Sequence, residues 1–217
     1  MTEPASPRGK FITFEGGEGC GKSTQSRLLV ETLRAEGRTV VATREPGGSP
    51  GAEIIRALLV EGEPGRWDAL TEMLLLTAAR RDHVENTIRP ALDAGSWVVC
   101  DRFIDSTIAY QGYGGGVDLG FIARVSSAVV SAVRPDLTIV LDIPVDLGLA
   151  RAKDRAGGED RFERKGTEFH RRLRNGFLEI AMAEPERCVV LSGETPIADL
   201  ARAVRSAVTE RLHVPTP

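Results

Sequence analysis

Short, wholly apolar runs alternate along the chain with longer stretches in which apolar residues recur every three or four positions. Four runs stand out: Phe11-Ile-Thr-Phe14, Trp97-Val-Val-Cys100, Leu137-Thr-Ile-Val-Leu141 and Cys188-Val-Val-Leu191. A fifth, Val40-Val-Ala42, follows Gly37. Each is too short for a helix, most are rich in β-branched residues, and they lack polar alternation. That pattern predicts strands covered on both faces, as in a parallel sheet. Between them, Leu28, Leu29, Thr32 and Leu33 mark one helix, Ile54, Ile55, Leu58 and Leu59 a second, and Leu200, Val204 and Val208 the last. Strand and helix in turn predict an α/β fold, a five-stranded parallel sheet flanked by helices through right-handed crossovers.

With 217 residues and no internal repeat or linker, the chain suits one domain, expected over residues 10–213 behind a polar leader, residues 1–9, that carries Pro4 and Pro7. Gly112 to Gly116 is expected to be a flexible loop. Arg151 to Lys165, dense in charge and nearly free of apolar residues, is expected to be a lid over an active site, the alternative being a solvated helix end. A net charge of -3 and a pI near 5.7 give no ground for a nucleic-acid or membrane partner. The N-terminus lacks the apolar run of a signal peptide, and no stretch approaches the ~18 apolar residues of a membrane span. Cys20, Cys100 and Cys188 are odd in number and form no C-x-x-C pair, which favours reduced thiols in a cytoplasmic protein.

The first chemistry-bearing motif follows the first strand: Gly16-Gly17-Glu18-Gly19-Cys20-Gly21-Lys22-Ser23, then Thr24. It fits G-x-x-x-x-G-K-[ST] between a buried strand and an amphipathic helix, the P-loop NTPase context. Glycines let successive backbone N–H groups turn toward phosphate oxygens, and the helix N-terminus adds its unpaired donors and dipole. Lys22 supplies a charge for the β- and γ-phosphates of ATP, and Ser23 a hydroxyl for Mg2+. Asp101, ending the third apolar run in chain order, is placed to hold the metal or its waters.

Three further stretches narrow the class: Thr43-Arg-Glu-Pro-Gly-Gly48 continuing to Arg56, Asp101-Arg-Phe-Ile-Asp-Ser-Thr-Ile-Ala-Tyr-Gln-Gly112, and Asp160-Arg-Phe-Glu163. With Phe14-Glu-Gly-Gly-Glu-Gly-Cys-Gly-Lys-Ser-Thr-Gln25 they closely resemble the thymidylate kinase family, from about Lys10 to the final helix. The resemblance implies ATP-dependent, Mg2+-using phosphorylation of dTMP to dTDP by a homodimer. It puts Arg44, Glu45, Pro46, Arg56 and Arg102 at the acceptor-phosphate site, where guanidinium groups fork onto phosphate oxygens. Glu18 matches the carboxylate that reaches the acceptor sugar's 3′-hydroxyl, and Asp101 the acid assisting the metal and the acceptor. Arg80, Thr107 and Gln111 match the base readers, and Tyr110 the ring that crowds the 2′ position.

Two departures matter. Leu76 stands where the family usually stacks an aromatic on thymine, which implies a higher KM for dTMP, since stacking on an aromatic is worth about 1–3 kcal/mol. Gly19 occupies the P-loop position where some members carry an arginine, so the cation for the moving phosphoryl falls to the Arg151–Lys165 segment, with Arg151, Lys153, Arg155 and Arg161 as candidates. Gly157 and Gly158 are its expected hinges, and Ser192 to Pro196 the expected adenine side. His83, on a helix with Arg81, Asp82 and Glu85, reads as packing or surface rather than catalytic. Two rivals remain at this stage: a kinase for another monophosphate or a deoxynucleoside, and a regulatory P-loop switch. The absent N-K-x-D motif speaks against a GTPase switch, and three acceptor-side arginines against a nucleoside kinase.

Overall fold

The computed structural model describes residues 8–61, 65–154 and 165–213. Arg155, Gly157, Gly158, Arg161 and the Asp160–Glu163 motif lie outside the described residues.

The chain runs β1 (Phe11–Glu15), α1 (Lys22–Ala35), β2 (Val40–Arg44), α2 (Pro50–Val60), α3 (Ala69–His83), α4 (Arg89–Asp93) and β3 (Trp97–Asp101). It continues through α5 (Ile104–Thr107), α6 (Leu119–Val130), β4 (Leu137–Asp142), α7 (Val145–Lys153), α8 (Thr167–Ala183), β5 (Cys188–Ser192) and α9 (Ile197–Leu212). π-helical turns join α3 to α4 over Val84–Ile88 and extend α5 over Ile108–Gly114.

The described strands form one parallel sheet in the order β2-β3-β1-β4-β5. Every predicted apolar run is a strand, and each runs on into a polar end residue: Glu15, Arg44, Asp101, Asp142 or Ser192. The ladder is a backbone bond and continues past the last apolar side chain. Those polar ends share the carboxyl edge of the sheet, where open α/β sheets bind their ligands.

Apolar packing on both faces holds this edge rigid. Ile12 and Phe14 pack with Leu33 of α1 and with Val204 and Val208 of α9. On the opposite face Phe11, Val98 and Cys100 meet Val84, Ile88, Leu92 and Phe103. The Phe11 and Phe103 rings meet edge to face at 5.0 Å. Tyr110 is clamped between α5 and α8 by Phe169 and Phe177, at centroid distances of 6.2 and 6.3 Å.

Two expectations change. In α2, Leu59 is buried, but Ile54 is 70% exposed and Leu58 40%, so part of the predicted apolar stripe faces outward. Gly112 to Gly114 belong to the π-helical turn instead of a loose loop. Gly116 N–H bonds to Gly112 O at 2.7 Å and Val117 N–H to Gln111 O at 2.9 Å. A Cβ on Gly112 would stand 2.4 Å from Leu119, and one on Gly114 2.5 Å from Phe169, so these glycines serve close packing. Arg151 and Lys153, at the start of the charged segment, close helix α7.

Candidate active site

The P-loop leaves β1 and wraps into α1, with Lys22 as the first helical residue. Gly19 has φ 67°, and a Cβ there would lie 2.0 Å from Gly148 O, so the loop tip touches α7 backbone to backbone. Only glycine fits that approach. Lys22 Nζ donates to Gly17 O at 2.7 Å and Gly16 O at 3.2 Å, and lies 3.4 Å from Cys20 Sγ. Cys20 is buried, and its thiol donates to Gly17 O at 3.1 Å, as a small packing residue would.

Ser23 Oγ donates to Asp101 Oδ2 at 2.6 Å. A hydroxyl at the start of α1 and a carboxylate at the end of β3 are hard oxygen donors that fit Mg2+, which keeps several waters and borrows further oxygens from substrate phosphates. Among the described residues no group of three or more His, Cys, Asp or Glu is placed to hold a metal ion.

Arg102 is the hub of a hydrogen-bonded cluster beside the P-loop. Its backbone sits at φ 70°, a region that non-glycine residues seldom occupy and that concentrates at functional positions. Nη1 donates to Gly16 O at 3.1 Å and Ser106 Oγ at 3.0 Å; Nη2 donates to Tyr110 Oη at 2.8 Å and Glu18 Oε1 at 3.2 Å. Tyr110 Oη in turn donates to Glu18 Oε1 at 2.5 Å. Burial alone would raise the Glu18 pKa, but the Arg102 and Lys22 charges and the Tyr110 bond override it and hold the carboxyl at about 2. Burial lifts the Tyr110 phenol well above its usual value. A carboxylate, a guanidinium and a neutral phenol are thus gathered beside the phosphate cradle.

Beneath them lies Glu15, missed by the sequence reading. Fully buried, it accepts from Phe103 N at 2.8 Å, Ser106 N at 3.3 Å and Ser106 Oγ at 2.6 Å, pinning the turn that carries Arg102. Burial, with the Asp105 charge adding, pushes its pKa up to about 7 against the hydrogen bonds and Arg102. The folded chain therefore holds a proton that the unfolded chain has lost above 4.5. Stability from this group is complete below that value and lost as pH rises through about 7. Glu15→Gln should flatten the fall in melting temperature between about pH 5 and pH 8, as thermal denaturation at both values would record. Glu18 acts oppositely, stabilising above 4.5 and failing as pH falls toward about 2, outside that window.

A second buried polar cluster joins α3 to α5. Glu72, Leu76 and Arg80 are four residues apart on α3, a spacing that aligns them on one face. Arg80 is 2% exposed; Nε donates to Glu45 Oε2 at 2.7 Å, and Nη2 to Phe103 O and Thr107 Oγ1, each at 3.0 Å. Gln111 Nε2 donates to Glu72 Oε1 at 2.7 Å. Arg80 Nη1 and Gln111 Oε1 are buried with no hydrogen-bond partner among the described residues.

His83 is wholly buried, so its role is packing and not surface. Nε2 lies 2.7 Å from Thr43 Oγ1 and Nδ1 3.1 Å from Glu45 Oε1, propping the carboxylate that holds Arg80. Arg44 and Arg56 bond along the connection from β2 to α2. Arg44 Nη2 donates to Glu53 Oε2 at 3.2 Å, and Arg56 Nη1 to Pro46 O, after a cis Glu45–Pro46 bond. Arg44 pairs in register with Asp101, which brings its loop to the same sheet edge. Arg151 Nη1 donates to Gly193 O at 2.7 Å, and Gly193 N–H bonds to Asp142 O at 2.7 Å, tying α7 to the 192–196 loop.

A family model for thymidylate kinase matches residues 14–204. The chain belongs to the thymidylate kinase family. It is 54% identical to the thymidylate kinase of Caulobacter vibrioides, over 94% of this chain and 98% of that one. To the thymidylate kinase of Ruegeria pomeroyi it is 52% identical, over 96% and 98%. The crystal structure of thymidylate kinase from Ehrlichia chaffeensis superposes with a TM-score of 0.77 at 38% identity, covering 93% of this chain and all of that one. Family and geometry agree: this is a P-loop nucleoside monophosphate kinase, a transferase that uses ATP with Mg2+.

Proposed function

We propose that the chain transfers the γ-phosphoryl group of ATP to dTMP, giving ADP and dTDP. Beyond family membership, the observation that carries the base assignment is the pair of buried, unpartnered atoms at the α3–α5 site. Arg80 Nη1 is a donor and Gln111 Oε1 an acceptor. Thymine offers the complement along one edge, a carbonyl O4 and a ring N3–H. Cytosine offers the reverse, an amino group and a bare ring nitrogen. A buried site left mispaired rejects the wrong partner strongly.

The reaction then follows from positions. The P-loop N–H groups and Lys22 hold the ATP phosphates, and Ser23 with Asp101 would hold Mg2+, which supplies charge neutralisation between the phosphate oxygens. Arg102, with Arg44 and Arg56 along the Glu45–Pro46 loop, grips the acceptor phosphate and aims its oxygen in line. Glu18 accepts from the sugar 3′-hydroxyl, and Tyr110, fixed by Glu18 and Arg102, closes the 2′ side. The remaining positive charge for the transferring group comes from Arg151, Lys153, Arg155 or Arg161; Arg151 is already tethered beside the 192–196 loop.

Leu76, half-buried between Glu72 and Arg80, gives the base an apolar contact without a stacking face. Leu76→Phe should lower the KM for dTMP several-fold with kcat nearly unchanged. An unaltered or higher KM in steady-state kinetics would remove Leu76 from the base site.

The working form is a homodimer through α2, α3 and α6, where Ile54, Leu58, Leu70, Leu74 and Leu119 are exposed large apolar residues. Sedimentation equilibrium should give the mass of two chains. No described helix is long and apolar enough to cross a membrane, and the cytoplasm, where ATP is held, is the proposed compartment. An acceptor panel tests the whole reading. ADP release with Mg-ATP should be strong with dTMP, weaker with dUMP, and negligible with CMP, AMP, GMP or thymidine. Equal turnover of CMP would sink the base assignment.

A further inference from the structure

The two base readers differ in one physical respect. Arg80 donates from every nitrogen, so its supports decide where it points and never what it offers. Gln111 ends in an amide whose two arms have nearly the same shape and opposite hydrogen-bonding sense. A freely turning glutamine would greet a ring N–H with Oε1 and a bare ring nitrogen with Nε2. Alone, it would discriminate poorly between thymine and cytosine.

The structure removes that freedom. Gln111 Nε2 donates to Glu72 Oε1 at 2.7 Å, with Gln111 1% and Glu72 2% exposed. A carboxylate oxygen accepts and has no proton to give. Turning the amide over would set oxygen against oxygen in a place water does not reach, leaving both without this bond. The far arm is thereby fixed as the acceptor Oε1, the atom left unpartnered. Glu45 does the corresponding work for Arg80, through Nε at 2.7 Å. The pocket thus pairs each reader with its own buried acid, and only the Glu72 pairing sets a hydrogen-bonding sense.

We propose that Glu72 is a positioning residue that determines base specificity: by holding Gln111 Nε2 it commits Oε1 to face the base, selecting pyrimidines that carry a ring N–H. Glu72 itself touches no substrate. The inference rests on the assignment of Arg80 and Gln111 to the base site.

The test compares kcat/KM for dTMP and dCMP in the wild type, Glu72→Leu and Glu72→Gln, with each fold checked by thermal denaturation. In Glu72→Leu the amide is released, and the dTMP-to-dCMP ratio should fall about tenfold or more. In Glu72→Gln the new amide can turn to donate as readily as accept, so the sense of Gln111 is again unfixed and the ratio should also fall. Glu72→Met carries the same test if the leucine variant does not fold. A loss that falls equally on dTMP and dCMP, leaving the ratio unmoved, overturns the proposal and reduces Glu72 to a structural support. A wild type that does not prefer dTMP to dCMP overturns it differently, by removing the base assignment beneath it.

Discussion

Lys22→Met is expected to lower kcat by roughly 10²–10³ while leaving the affinity for dTMP close to wild type. Among the described residues Lys22 bonds to P-loop groups: the carbonyls of Gly16 and Gly17 and the sulfur of Cys20. Arg80, Thr107 and Gln111, the proposed base readers, bond instead among themselves and to Glu45 and Glu72. Its charge is used where negative charge shifts during transfer, so its loss falls on the chemical step. Steady-state kinetics with Mg-ATP, beside a direct dTMP titration, would separate the two effects. A Lys22→Met enzyme with full kcat would place the donor phosphates elsewhere.

The second large effect is at Arg102, and it should differ in kind. Arg102→Ala should reduce kcat/KM for dTMP by about 10³ or more, with losses in KM and kcat together. Three groups depend on this guanidinium at once. The acceptor phosphate loses its fork, Tyr110 Oη loses a donor at 2.8 Å, and Glu18 loses the cation that holds its carboxyl near 2. Without that cation burial is less opposed, and the Glu18 pKa should climb, carrying the acid limb of the pH–rate profile upward. Arg102→Lys should recover little, because one ammonium cannot reach Gly16 O, Ser106, Tyr110 and Glu18 together as the planar fork does. A variant that kept its kcat/KM would detach Arg102 from the acceptor.

The parts legible in the sequence were those written in consecutive residues. The P-loop needs glycines, a lysine and a serine in fixed order, so residues 16–23 announce both its shape and its use. The five apolar runs gave the sheet for the same reason, since burial on both faces leaves no polar alternation to confuse. Arg80, Tyr110 and Gln111 were reachable only through resemblance, because a single polar residue on a helix looks the same whether it faces water or a ligand.

Glu15 and Glu72 were not legible. Glu15 follows an apolar strand and looks like the start of a turn; only the folded β1–β3 edge shows it accepting from Phe103 and Ser106. Glu72 sits in the first turn of α3, where an acid is expected for the helix dipole alone. Its spacing of four from Leu76 and eight from Arg80 was a usable signal, had the Arg80 face been followed back along the helix. Gly112 and Gly114 misled in the opposite direction. Their lack of side chains suggested freedom, whereas the fold uses it to admit Leu119 and Phe169.

The most direct measurement is to follow the γ-phosphoryl group itself. ATP labelled in the γ-phosphate would be incubated with the protein, Mg2+ and dTMP, and the products followed by phosphorus NMR. The account predicts label in the β-phosphate of dTDP, with little inorganic phosphate and no transfer without dTMP. Label appearing as inorganic phosphate at the same rate with or without dTMP would contradict it, and would make the chain a hydrolysing switch.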